Sequence, residues 1–206
     1  MFSVYSAIGI FSFTIWLIVF MNYKSRRGTR INKERNRLFF QQDAEANNAR
    51  RREIDLELFF VPDFNLMPPI EEGDPYKVLR ITSRKMIYFN EPMSNIELKR
   101  QYGPSQLESI AQYEENFNDF LNCITNWGRD LFDKGDFSNA KLLAEYAISL
   151  KSEFRNTYKL AADLYSLDIF PDNTLEALAK IVKRQNFRDP AMQKSVLEYI
   201  SSKERI

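Results

Sequence analysis

The chain contains no histidine at all, so no Ser-His-Asp or Cys-His relay, no H-E-x-x-H zinc site and no imidazole switch can be assembled from it. It has one cysteine, Cys123, which excludes an internal disulfide and any cysteine-based metal cluster. Its six glycines include no glycine-rich phosphate loop. Charge of one sign is not in excess either, with 29 Lys and Arg against 28 Asp and Glu. Bulk charge therefore gives no reason to expect a nucleic-acid partner. Nothing in this inventory calls for a cofactor or a metal, and the expected function is binding without catalysis. Glu71-Glu72-Gly73-Asp74 and Glu114-Glu115 are the densest acidic clusters, and they read as ordinary acidic loop and helix-start residues.

What the chain does have is a long apolar run. Residues 1–23 carry no charged side chain, and Phe2 to Met21 is 20 residues long. At about 1.5 Å per residue this crosses a ~30 Å hydrocarbon core. Tyr5 and Tyr23 lie near its ends, where amphipathic rings favour the headgroup level. The run lacks the basic start and small-residue cleavage site of a signal peptide, so a retained transmembrane anchor is expected over 1–23. Lys24, Arg26, Arg27, Arg30, Lys33, Arg35 and Arg37 follow, opposed only by Glu34. The positive-inside bias then puts the N-terminus outside the cell membrane and residues 24–206 in the cytoplasm. Lys24, Arg26, Arg27 and Arg30 are the candidates for contact with anionic lipid headgroups.

Beyond the anchor the charge separates into two regimes. Residues 24–52 hold ten basic and three acidic groups, whereas 53–206 hold nineteen and twenty-five. A basic juxtamembrane stalk is expected over 24–58, helical from Asn32 to about Arg52 because it lacks Gly and Pro. Residues 59–75, FFVPDFNLMPPIEEGDP, form a Pro-rich extended linker with embedded aromatics. The segment 76–103 is ambiguous in period, and helix is expected over 76–89 from the spacing of Leu79, Thr82, Met86 and Phe89. Two S-x-x-E capping boxes, Ser94 with Glu97 and Ser105 with Glu108, flank Gly103-Pro104. Asn173 with Glu176 is a weaker start signal, and Asp189-Pro190 a further one.

From 104 to 206 the pattern is that of helical hairpins. Phe117, Phe120, Leu121, Ile124, Trp127, Gly128, Leu131 and Phe132 make a 3.6-residue stripe, broken by Lys134-Gly135-Asp136. A second stripe follows at Ala140, Leu143, Ala144, Ala147, Ile148 and Leu150, with small residues where the helices would cross. In WGRDLFDKGDFSNAKLLAEYAISL, residues 127–150, the Trp127-Gly128 pair, Leu131-Phe132, the turn Gly135-Asp136-Phe137, Ala140 and Ala147 have both the types and the spacing of one repeat. This stretch resembles the tetratricopeptide repeat, with Ser152 standing where that family has a closing proline. Tyr158, Leu160, Ala161, Leu164 and Tyr165 begin a degraded second copy, offset by 33 residues from Trp127 to Leu160 against a family period of about 34. A last helix over 190–202 would cap the stack.

The expected fold is therefore all-α: a transmembrane helix, a juxtamembrane stalk, and a cytoplasmic array of tetratricopeptide-like hairpins. The resemblance implies peptide or protein binding on a concave face built from first helices. Asn122, Asn126, Arg129, Arg155, Tyr158 and Lys159 lie off the apolar stripes and are the candidate partner-binding residues. In the family subset that holds a C-terminal carboxylate, Asn and basic residues occupy this face, and Asn126 matches such an Asn. The expected function is a membrane-anchored adaptor or scaffold. The alternative is a structural subunit of a larger membrane complex, with the aromatic stretch Phe59 to Phe64 buried against a neighbour.

Overall fold

The computed structural model describes residues 32–69, 78, 80, 82–91, 93–167, 169–170 and 174–204. The expected anchor over 1–23 and the headgroup candidates Lys24, Arg26, Arg27 and Arg30 lie outside these residues. No helix among the described residues is long and apolar enough to cross a membrane. The described chain is mostly helical and divides into two units. One holds the described residues up to Arg52 together with Ser94–Gln106, and the other holds Glu53–Met93 and Leu107–Ile206.

In the first unit, helix α1 (residues 32–46) ends earlier than the expected Arg52. Asn47 and Asn48 are poor helix formers. The Asn48 side chain donates to the Ala44 carbonyl at 3.2 Å, and the chain turns away. Helix α2 (Asn95–Tyr102) starts with the expected capping box, since Ser94 accepts from the Glu97 amide and Glu97 accepts from the Ser94 amide. Lys99 reaches Asp43 of α1 at 2.6 Å. Gly103 ends α2 at φ +84°, where a Cβ would fall 2.9 Å from the Arg51 backbone. Only glycine allows the segment before Arg52 to run this close. The Arg52 amide donates to the Tyr102 carbonyl, and Gln106 donates to the Arg52 carbonyl. Ser105, expected to cap a helix, lies instead within the 3-10 turn Pro104–Gln106.

The second unit opens with residues expected to be an extended linker and ambiguous helix. Strand β1 (Phe59–Phe60) pairs antiparallel with β2 (Met86–Ile87), in the register Phe59 opposite Ile87 and Phe60 opposite Met86. The helix expected over 76–89 is thus replaced by strand at its end, although 78, 80 and 82 are helical. Met86 and Ile87 are both fully buried, and short-range periodicity cannot tell a buried strand from a helix turn. Phe60 packs on Phe117 and Phe120 with centroids 5.0 and 5.6 Å away. The Asp63 amide donates to the Tyr146 hydroxyl at 2.9 Å. So the described part of the Pro-rich stretch is strapped to the helical body.

That body is a run of helices: α3 (Leu107–Asp133), α4 (Phe137–Ser149), α5 (Arg155–Tyr165), α6 (Leu175–Arg184) and α7 (Pro190–Lys203). Helix α4 folds back on α3 through Gly135 at φ +82° and the Asp136 cap. Helix α5 packs against both α3 and α4, and α7 against both α5 and α6. At the first crossing Gly128 leaves no room for a side chain, because a Cβ there would lie 2.8 Å from Leu160 and 3.4 Å from Leu143. Ala140, Ala144 and Ala147 are buried on the facing helix. Thr174 caps α6, and Asp189 caps α7 ahead of Pro190. Leu143, Leu160, Leu164 and Leu178 are fully buried along these seams, each worth about 1.5–3 kcal/mol of transfer from water.

Candidate functional site

Helix α5 packs against α3 and against α7, and a polar network joins the three helices. At its centre is Asp163 of α5. Arg129 of α3 reaches one carboxylate oxygen at 2.9 Å, Lys203 of α7 reaches the other at 2.9 Å, and the Tyr199 hydroxyl donates to that second oxygen at 2.8 Å. Burial by itself would raise the Asp163 carboxyl. The hydrogen bonds from Lys203, Tyr199 and Arg129 outweigh it and hold the group below its ordinary value. Lys203 is raised in turn, chiefly by its bond to Asp163. Tyr199 is raised by burial and then by the same carboxylate. Lys159 stands 5.0 Å over the Tyr199 ring, and Arg129 stands 5.2 Å over Phe132.

Of the six residues expected to bind a partner, the network gathers two, Arg129 and Lys159. Asn122 and Asn126 are exposed one turn apart on α3, their amides 3.5 Å from each other. Arg155 is exposed at the start of α5. Tyr158 does not belong with them. It is fully buried, and its hydroxyl proton is shared between the Ser152 carbonyl and Gln185 Oε1, each 2.6 Å away. Burial pushes its phenol strongly upward, so it stays protonated. Tyrosine was ambiguous because its ring fits an apolar stripe and its hydroxyl fits a polar face. The sequence reading missed Asp163, Tyr199 and Lys203. Their only signal was local, the four-residue spacings of Lys159 with Asp163 and of Tyr199 with Lys203, and their meeting depends on helices distant in sequence.

Beneath this face the helices are locked by buried hydroxyls. Thr125 and Thr157 meet at 2.9 Å, Thr157 and Ser152 at 3.0 Å, and the Phe154 amide donates to Ser152 Oγ at 3.2 Å. Ser152 therefore does work that proline could not do at that position, because its amide also donates to the Ala147 carbonyl.

A groove of about 1100 Å³ opens elsewhere in the same unit, between the segment after β2, α3, the turn before α5 and the end of α6. Phe117 and Leu121 form its buried floor, with Tyr88, Phe89 and Phe154 half-buried in its walls. Arg188 closes one side by pairing with Glu114 at 2.6 Å, while its amide donates to Glu153. Glu114 is thus an ion-pair partner rather than half of a carboxylate site with Glu115. Among the described residues no group of three His, Cys, Asp or Glu side chains is placed to hold a metal ion. Cys123 is half-buried against the aromatic core of α3 and α4.

No protein-family model, no curated protein and no solved structure matches the chain.

Proposed function

We propose that this protein is a membrane-anchored interaction module of the tetratricopeptide kind, which presents its first-helix face to a peptide or protein partner and carries out no chemistry of its own. The observation that supports this best is the network joining α3, α5 and α7. Arg129 and Lys203 pair with Asp163 and Lys159 stands over the Tyr199 ring, so basic side chains from all three helices meet here. Exposed amides at Asn122 and Asn126 and the exposed Arg155 extend it. A face of this composition suits an acidic or C-terminal peptide: guanidinium and ammonium groups donate to carboxylates, and an Asn amide fixes orientation. Residues 1–23 would be the anchor and the basic flank after them its cytoplasmic side, contacting anionic headgroups through Lys24, Arg26, Arg27 and Arg30. Holding the face beside a bilayer raises its effective concentration toward membrane partners.

The test is capture of partners by the full-length chain in membranes. An Asn122→Ala/Asn126→Ala/Arg155→Glu variant changes exposed side chains only and leaves the Arg129–Asp163 pair intact. Loss of a captured partner with retained helicity supports the face as the site. Retention by that variant, with loss in a Phe89→Ser/Arg184→Glu variant, moves the site to the groove.

A second reading, a structural subunit of a membrane complex, draws on a different observation. Leu56, Val61, Phe64 and Leu66 are exposed at 85, 80, 44 and 45% along one short stretch. Apolar side chains concentrated in this way suit burial against a neighbouring subunit. Full-length protein that aggregates when purified alone, and is monodisperse once Val61 and Phe64 are made Ser, would favour this reading.

A further inference from the structure

Among the described residues, helix α1 has little protein to lean on. Every residue from 32 to 42 is exposed, and cover begins only at Asp43, which pairs with Lys99, and at the buried Ala46. Yet the uncovered part carries Leu38, Phe39 and Phe40, exposed at 53, 52 and 67%. A helix of about 15 residues is marginal in water without tertiary burial, so this half of α1 calls for another surface. The charges beside the apolar residues say which kind. Lys33, Arg35 and Arg37 are exposed with only Glu34 opposing them, whereas the acidic residues Asp43 and Glu45 fall in the other half.

Resting on the membrane-anchor part of the reading above, we infer that the first half of α1 lies in the headgroup region of an anionic bilayer. Leu38, Phe39 and Phe40 enter the boundary with the acyl chains, and Lys33, Arg35 and Arg37 meet lipid phosphates. A basic run leading directly into large apolar side chains suits the boundary between lipid headgroups and acyl chains. Three consecutive residues span about 200° of a helix, so this end is partly immersed rather than laid down on a narrow stripe. The long basic side chains reach outward from that depth to the phosphates. The other occupants fit less well. A second copy of α1 would bring like charges together, and an acidic protein surface would satisfy the cations but leave three large apolar side chains against charge.

The experiment uses the full-length chain with Cys123→Ala and a single environment-sensitive fluorophore on Phe40→Cys. It is reconstituted in phosphatidylcholine vesicles with or without phosphatidylglycerol, some of them carrying nitroxide-labelled lipid. A second chain labelled at Ile10→Cys reports on the anchor. The expected result is blue-shifted, nitroxide-quenched emission at position 40 that is stronger with phosphatidylglycerol and is lost in a Lys33→Glu/Arg35→Glu/Arg37→Glu variant. Water-like emission at position 40, with position 10 quenched, overturns the inference and leaves the anchor standing. Water-like emission at both positions removes the anchor and the inference together. A blue shift at position 40 without lipid quenching also overturns it, because the cover is then protein.

Discussion

At the scale of single residues, two side chains carry more than their sequence context announced. Asp163 receives three donors from two helices, and its side chain is only 13% exposed. Asp163→Asn is expected to cost about 1–2 kcal/mol near neutral pH, since bonds between charged groups are strong but this cluster is partly solvated. The sign of its pH dependence follows from a depressed carboxyl. The stabilisation is complete above the unfolded-state carboxylate value and is lost as pH falls through the lower folded value. Chemical denaturation of both proteins should therefore show a gap at pH 7 that narrows below about pH 4. Ser152 makes a sharper case, because the family resembled by residues 127–150 has proline there. Its amide and hydroxyl are both bonded, and Lys151 before it has φ +55°, a conformation that a following proline disfavours. The consensus-like Ser152→Pro is expected to destabilise by about 3 kcal/mol or more, read as a lower thermal midpoint. A stabilised variant would contradict the account of this turn.

At the scale of elements, much was legible because the signals were local. The stripe from Phe117 to Phe132, the Gly135-Asp136 turn, the Ser94 capping box and the Asp189-Pro190 start each need only a few neighbouring residues, and each appears where the sequence put it. Strand β2 was misread because two buried residues paired with a distant strand leave no period to detect. The end of α1 was overrun because the Gly- and Pro-free stretch continued past Asn47 and Asn48. Gly128 shows how a sequence signal becomes packing. Gly128→Ala recovers about 1 kcal/mol of helix propensity, but the added methyl meets the fully buried Leu160. Overpacking costs about 1–3 kcal/mol, so a small net loss is expected for alanine and a larger one for Gly128→Val. Thermal unfolding of the three proteins should rank them Gly, Ala, Val; an alanine variant more stable than the parent would show that the crossing is looser than its geometry.

At the scale of the whole molecule, the candidate site was half legible. Polar positions on the first helices could be picked out by their spacing, which gave Asn122, Asn126, Arg129, Arg155 and Lys159. The same spacing admitted Tyr158, which the fold buries, and was silent on Asp163, Tyr199 and Lys203, which the stacking of α5 and α7 brings together. The central claim is that this first-helix face is a recognition surface held at a membrane. A photoreactive amino acid at position 126 of the full-length chain tests it most directly, with one at the exposed Lys180 of α6 as the control. In native membranes the account predicts a discrete adduct from position 126 that disappears with Arg155→Glu, and none of that size from position 180. The same adducts from both positions, or none from 126, would contradict it.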